Sequence, residues 1–270
     1  MLLIIDALLL ISAALGKDHR AAVKGKIFPL DMENNSVDDQ YDGCIGKMKQ
    51  LVENKYLKKE LNNSRNNFKI AWQEGEGKRM KPENNLTQNH LIAIYVYTGD
   101  KVFRDFNNET RYGKQNYTTE KYSWYSLHFL LTEAVQILNK TQNTCYDTYR
   151  RTKVEFDKNV LNKEVRFGSF TSSSIDHDKG ANIFGTVSCF EIHTCEGAEV
   201  TKYSKLSSER EVLIPPYETF KVTSIRKKED EKDLWCDTVY ILKNTGKTSD
   251  LNCALFRRPN KTKDKYHVLH

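Results

Sequence analysis

The pattern of apolar residues changes near Cys145, and this change constrains the fold more than any other feature of the sequence. Before it, apolar residues recur at helical spacing in three segments, residues 40–63, 87–98 and 122–140. After it, short stretches rich in β-branched and aromatic residues alternate with Gly, Pro, Ser and Asp. Helices followed by strands predict an α+β fold rather than repeated βαβ units.

This pattern also predicts how the chain is divided. We expect an N-terminal arm and helical subdomain over residues 17–143 and a β-rich subdomain over residues 144–258. The two would pack as one domain spanning about residues 26–256, followed by a basic tail over residues 259–270. Two finer expectations are a loop at residues 74–85, which contain Gly, Pro and Asn, and a last strand at residues 251–256.

The N-terminus has the features of a secretory signal peptide. Residues 2–15 are apolar apart from Asp6 and Ser12, and small residues at Ala14 and Gly16 suit cleavage after residue 16. The run is shorter than the roughly 20 apolar residues that span a bilayer, although an uncleaved anchor or a buried helix stays an alternative. The basic, polar C-terminus lacks the apolar tail of a GPI signal. We therefore expect a protein of the extracellular space or secretory-pathway lumen, without stable membrane insertion.

Cysteines and glycosylation sequons agree with export. The six cysteines are even in number, and none of their spacings matches a zinc site. Disulfides are the favoured interpretation, but the spacing leaves their connectivity open. Sequons of the form N-x-S/T, which mark glycan acceptors in exported proteins, occur at Asn34, Asn62, Asn85, Asn108, Asn116, Asn139 and Asn260.

The charge pattern and the absence of common motifs exclude several classes of function. The formal net charge is +6, but basic and acidic residues are interspersed, which is typical of a solvated surface rather than a nucleic-acid interface. The sequence contains no phosphate-binding glycine motif, no H-E-x-x-H metal motif and no G-x-S-x-G nucleophile motif. We expect a monomer with no nucleic-acid partner.

Three groups of polar residues in the β-rich half are candidates for chemistry. Arg150 lies at the end of a predicted strand that follows Cys145, and a hydroxyl cluster occupies residues 171–174. Two carboxylates, Glu209 and Glu211, flank a single residue just before an apolar strand.

Four sequence segments resemble motifs of one family in the same order. They are VDDQYDGC at 37–44, CYDTYR at 145–150, GSFTSSS at 168–174 and EREVLIPPYETFKV at 209–222. Together they resemble the arginine-serine-glutamate pattern of the vertebrate-type ecto-mono-ADP-ribosyltransferases that modify arginine. The likeness runs from about residue 26 to residue 253.

The resemblance implies a fold and an activity. The β-rich half would consist of two packed sheets that bind NAD as co-substrate, without a metal. The enzyme would transfer ADP-ribose to arginine side chains of extracellular or secretory-pathway proteins and release nicotinamide. Cleavage of the bond between nicotinamide and ribose builds positive charge on the ribose, and a carboxylate stabilises such charge.

The resemblance also assigns roles to individual residues. Glu211 would hold the ribose 2′-hydroxyl and face the developing cation, whereas Glu209 would receive the incoming guanidinium and so set the preference for arginine. If the backbone is extended there, alternation places both carboxylates on one face. Arg150 would bind the pyrophosphate, since a guanidinium pairs well with phosphate oxygens. Ser172 would contact NAD, and Phe184 would either stack on the nicotinamide or belong to the core.

The disulfides implied by the resemblance are Cys44–Cys253 and Cys145–Cys195, which leaves Cys189 and Cys236 for a further bridge. One departure from the family pattern is Arg151, where relatives usually have a glycine whose backbone contacts the nicotinamide amide. Two alternatives stay open: an NAD glycohydrolase that uses the same site, and a secreted binding protein that keeps the fold without catalysis.

Overall fold

The computed structural model describes residues 25–63, 67–177 and 184–257, with only the backbone described for Glu209. The predicted signal peptide, residues 1–16, and the basic tail, residues 259–270, lie outside the described residues. Within the described part of the chain, no helix combines the length and the apolar character needed to cross a membrane.

The N-terminal half is helical, as the apolar spacing predicts. Its helices are α1 (Ile45–Leu51), α2 (Leu57–Leu61), α3 (Phe68–Gly77), α4 (Gln88–Tyr97), α5 (Phe103–Tyr112), α6 (Lys114–Thr118) and α7 (Tyr125–Gln142). A π-helical turn, Val52–Tyr56, joins α1 to α2. The central helix α4 is buried from His90 to Tyr97, which explains why its sequence is apolar on every side.

The loop predicted at residues 74–85 is wrong at its beginning, because residues 74–77 continue α3. Tertiary packing accounts for the difference. A Cβ atom at Gly75 would lie 2.9 Å from Ile92 Cγ2, so the glycine allows α3 to approach α4 closely. The contact outweighs the poor helix propensity of the two glycines in this segment.

The C-terminal half forms one large sheet. Its strands are β2 (Tyr146–Thr152), β4 (Glu164–Val165), β5 (Thr171–Ser174), β6 (Ser188–Thr194), β7 (Ala198–Glu199), β8 (Glu211–Ile214), β9 (Glu218–Lys227) and β10 (Thr238–Lys247). They lie in the order β4-β9-β10-β6-β2-β5-β8-β7, and a separate short ladder pairs β1 (Ile27–Phe28) with β3 (Glu155–Phe156). The predicted α+β class is confirmed.

The two sheets implied by the resemblance correspond to the two halves of this large sheet, which are joined by a single residue pair. Strands β2 and β5 share a single Cα pairing, Tyr149 with Ser174, whereas β2 and β6 pair along all seven residues of each strand. The two halves therefore form a continuous sheet that is bonded weakly at its middle. The helices pack on the β5-β8-β7 half, where Phe170, Ala198 and Leu213 join the helical core.

Residues 251–256, predicted as a strand, instead form a turn and a 3-10 helix, Ala254–Phe256. Side-chain carboxylates take the place of a strand partner. The backbone N–H of Leu251 donates to Asp38 Oδ1 at 2.9 Å, and that of Cys253 donates to Asp39 Oδ1 at 2.8 Å. The fully buried Asp38 also pairs with Arg166 at 2.6 Å. The segment VDDQYDGC at 37–44 thus fixes residues 251–253 near the C-terminus through the carboxylates of Asp38 and Asp39.

Three disulfides are present: Cys44–Cys253, Cys145–Cys195 and Cys189–Cys236. The first closes a separation of 209 residues, so it should restrict the unfolded chain more than the other two. Cys145, Cys195 and His193 lie near one another, but the two sulfurs are bonded together and so are not available as thiolate ligands.

Candidate active site

The structure brings Arg150, Ser172 and Glu211 together where the two halves of the sheet meet. Arg150 comes from β2, Ser172 from β5 and Glu211 from the first position of β8. The Arg150 Nη1 atom donates to the Ser172 carbonyl oxygen at 2.7 Å, across the joint between the halves. All three residues are buried, with exposed fractions of 8%, 2% and 0%.

Arg151 points away from this cluster. Consecutive side chains of a strand leave opposite faces, and β2 pairs with β6 without a bulge. The Arg151 guanidinium lies 4.4 Å from the centre of the Trp235 ring and donates to the His177 carbonyl oxygen at 3.2 Å. Tyr149, two residues earlier, also contacts the rings of His177 and Trp235, as expected for a residue on the same face.

The two carboxylate oxygens of Glu211 have different surroundings. Oε2 accepts a hydrogen bond from the Ser204 hydroxyl at 3.1 Å, whereas Oε1 has no hydrogen-bond partner among the described residues. The buried Ser172 hydroxyl also lacks a partner of good hydrogen-bonding geometry there. Buried polar atoms without partners are rare in folded proteins, so this pair indicates a place for a polar group of a ligand.

Burial raises the pKa of Glu211 to about 7, because the charged carboxylate loses its hydration. The Ser172 and Ser204 hydroxyls and the positive charge of Arg150 act in the opposite direction and lower this pKa. The carboxyl group is therefore poised to change its charge near neutral pH, which is common at functional sites.

Tyr97 supports the site from the helical side. Its hydroxyl donates to the Phe170 carbonyl oxygen at 2.9 Å and accepts from Asn107 Nδ2 at 3.2 Å. Burial raises the pKa of Tyr97 to about 12, so the phenol stays neutral beside Glu211. Neither Tyr97 nor Ser204 was among the sequence candidates: the first has the pattern of a core residue, and the second belongs to no recognised motif.

The condition for placing Glu209 and Glu211 on one face, an extended backbone at Glu209, is not met. Glu209 ends a 3-10 turn, Ser207–Glu209, and Arg210 adopts a left-handed conformation with φ 43° and ψ 52°. Strand β8 begins only at Glu211, so strand alternation does not apply to the two glutamates. The Glu209 side chain itself lies outside what the structure describes. The Arg210 carbonyl oxygen accepts from the Ile175 N–H at 3.2 Å, which holds the bend against the end of β5.

Phe184 is buried, with 5% of its surface exposed. It follows residues 178–183, which lie outside the described part of the chain. Gly185 comes next with φ +94°, and a Cβ atom there would lie 2.8 Å from the Thr152 carbonyl oxygen. The glycine thus lets the chain pass close to the end of β2, while contact of Phe184 with nicotinamide stays a prediction.

Comparisons with known proteins agree on one family. The family model for NAD:arginine ADP-ribosyltransferases matches residues 30–245. The chain is 33% identical to NAD(P)(+)–arginine ADP-ribosyltransferase 2 of Gallus gallus, covering 84% of this chain and 73% of the relative. It is 34% identical to Ecto-ADP-ribosyltransferase 4 of Homo sapiens, covering 86% and 74%.

Solved structures extend this similarity to three dimensions. A crystal structure of a variant of the eukaryotic mono-ADP-ribosyltransferase ART2.2, in complex with NADH, matches with a TM-score of 0.71. The two proteins are 29% identical, and the match covers 85% of this chain and 100% of the other. A second ART2.2 variant, in complex with NAD, matches with a TM-score of 0.66. This chain therefore belongs to the NAD:arginine ADP-ribosyltransferase family.

Proposed function

We propose that the protein transfers ADP-ribose from NAD to arginine side chains of other proteins and releases nicotinamide. One observation carries the proposal: two buried polar atoms, Ser172 Oγ and Glu211 Oε1, have no hydrogen-bond partner of good geometry among the described residues. A ribose hydroxyl suits these two atoms chemically, because it can donate to the carboxylate and accept from the serine. Arg150 brings a positive charge to the same place, which suits the phosphates of NAD.

Glu211 stabilises the transition state electrostatically. Positive charge develops on the ribose as the bond to nicotinamide breaks. A carboxylate about 4 Å from such a charge contributes roughly 4 kcal/mol at an effective dielectric constant near 20. Burial makes the ionised Glu211 carboxylate costly, so a positive charge that develops on the ribose beside it relieves part of that cost.

Glu209 selects arginine as the acceptor in this proposal. A guanidinium stays protonated in water, so it needs a nearby group that receives a proton as attack proceeds. The backbone of Glu209 ends the 3-10 turn that leads into β8, two residues before Glu211. Phe184 completes the site by packing on the nicotinamide ring. The proposed steps use carboxylates and guanidinium groups and need no metal ion.

The sites of processing and modification follow from the proposed secretory location. Residues 1–16 are the proposed signal peptide, and the mature chain acts as a monomer outside the cell or in the secretory pathway. The proposed glycan acceptors are the sequon residues that are exposed among the described residues: Asn34, Asn62, Asn85, Asn108 and Asn116. Asn139 is not among them, because its Nδ2 group donates to the carbonyl oxygens of Cys195 and Gly197.

The test is incubation of the purified mature protein with labelled NAD and agmatine, a small guanidino acceptor, beside a Glu211→Gln variant. Labelled ADP-ribosyl-agmatine that is absent from the variant supports the proposal. Free ADP-ribose without the adduct would instead indicate an NAD glycohydrolase. NAD recovered unchanged would indicate a binding protein without catalysis.

A further inference from the structure

We propose that Ser204 is a positioning residue that fixes Oε2 of Glu211, so that Oε1 is presented to the ribose of NAD. The inference rests on the proposed function and adds a residue outside the family's arginine-serine-glutamate pattern. It starts from the asymmetry of the carboxylate, in which only Oε2 has a hydrogen-bond partner of good geometry among the described residues.

The direction of the hydrogen bond from Ser204 follows from the charge of the Glu211 carboxylate, and a second contact is compatible with it. The backbone N–H of Leu206 donates to the Ser204 oxygen at 3.1 Å, so a lone pair of that oxygen is already occupied. An ionised carboxylate can only accept, and therefore the Ser204 proton must point to Glu211 Oε2. The hydroxyl is oriented before any substrate arrives.

The loop that carries Ser204 is held at both ends. At one end, the Val200 N–H donates to the Glu211 carbonyl oxygen at 2.9 Å, and the Ser204 N–H donates back to the Val200 carbonyl oxygen at 3.0 Å. At the other end, the Lys205 N–H donates to Thr98 Oγ1 at 2.9 Å, at the C-terminus of α4. Ser204 is thus fixed relative to both β8 and the helical core.

The hydrogen bond from Ser204 lowers the pKa of Glu211 and so opposes the rise that burial causes. Among the described side chains, the charged and titratable groups that face this carboxyl are Arg150 and Tyr97, together with the hydroxyls of Ser172 and Ser204. Of these, Ser204 alone makes a described hydrogen bond of good geometry to the carboxylate. Its removal should raise the pKa of Glu211 further and lower the fraction of enzyme that is ionised at pH 7.

The experiment compares Ser204→Ala, Ser204→Thr and Ser207→Ala. Ser207 is a matched control, because it is exposed in the adjacent 3-10 turn and lies only three residues from Ser204. We expect Ser204→Ala to lower kcat by roughly 10- to 100-fold and to change KM for NAD by less than about 3-fold. The acid limb of its pH profile should move up by about one pH unit. The threonine variant should recover most of the rate, and the control should match the wild type.

A second readout does not depend on catalysis. Carbon-13 NMR of protein labelled at glutamate carboxyls, with Glu211→Gln for assignment, gives the pKa of Glu211 directly. An upward shift in Ser204→Ala but not in Ser207→Ala supports the positioning role. An unchanged pKa together with an unchanged kcat overturns it. Absence of turnover in the wild type would overturn the proposed function instead, and the titration would still decide whether Ser204 binds the carboxylate.

Discussion

Glu211 and Glu218 are seven residues apart, and both are completely buried, yet the protein treats the two carboxylates differently. Glu218 accepts hydrogen bonds from Thr194, Asn244 and the backbone N–H groups of Cys195 and Glu196. Glu211 has a described hydrogen bond on Oε2 and none on Oε1. The satisfied carboxylate of Glu218 holds the end of β6 beside a disulfide, whereas Glu211 is the carboxylate that we propose to bind the substrate. Sequence proximity and burial alone do not distinguish these two carboxylates, but the number of hydrogen bonds that each accepts does.

Replacement of Glu211 by Gln should give the largest effect on activity. We expect the rate of ADP-ribosyl transfer to fall by about 10²- to 10³-fold, because a neutral amide cannot stabilise the developing cation. At pH 8 the variant should unfold at a higher temperature than the wild type, since a buried charge is removed. Labelled-NAD assays and calorimetry on one preparation test both effects, and a rate within a few-fold of wild type would remove Glu211 from the mechanism.

Glu218→Ala should give the opposite result. Four donors lose their acceptor, so the free energy of unfolding should drop by about 3 kcal/mol, while the turnover of the remaining folded enzyme stays within a few-fold of wild type. Urea unfolding combined with activity per folded molecule measures this. A large loss of turnover with unchanged stability would contradict the contrast between the two glutamates.

The pH dependence of stability should differ between the two variants. The folded-state pKa of Glu211 is about 7 against an ordinary value of 4.5, so the folded protein binds the extra proton between these values. The contribution of Glu211 to the free energy of unfolding is therefore greatest below pH 4.5. It falls by about 3 kcal/mol as the pH rises from 4.5 to 7. For Glu218, with a pKa of about 6, the corresponding loss is about 2 kcal/mol.

Unfolding measured at pH 5 and pH 8 for wild type, Glu211→Gln and Glu218→Gln checks this order. The activity of the wild type should fall below pH 7, because the protonated form of Glu211 carries no charge. If activity fell only near pH 4.5, the pKa of Glu211 would not be raised, and this prediction would be wrong.

Arg151→Gly should have the smallest effect on activity. Its guanidinium contacts Trp235 and His177 on the face of β2 opposite to Arg150, so KM for NAD should change by less than about 3-fold. The loss of the cation–π contact should cost about 1 kcal/mol of stability. A large gain in NAD affinity would mean that Arg151 obstructs the pocket after all.

The sequence predicts some parts of this protein better than others. The three helical segments and the candidates Arg150, Ser172 and Glu211 follow from periodicity and from motifs, both of which are local. Ser204 and Tyr97 escape such reasoning because their contacts with the site arise only when the loop and α4 close around β8. The helical turn at Gly75 depends on a neighbouring helix, and the bend at Arg210 depends on a backbone conformation with positive φ. Ser204, Tyr97 and Gly75 thus depend on contacts between segments distant in sequence, and Arg210 on a backbone conformation that its residue type does not announce.

The Cys44–Cys253 bridge also determines how the molecule carries mechanical force. Tension applied between the two ends of the described chain passes from Cys44 through the sulfur bridge to Cys253. The chain between these two cysteines contains strands β2, β5 and β8 of the candidate active site. Because the disulfide carries the tension, this part of the chain is not stretched. A single residue pair connects β2 to β5. This weak joint is therefore protected from a pulling force that acts on the two ends of the described chain.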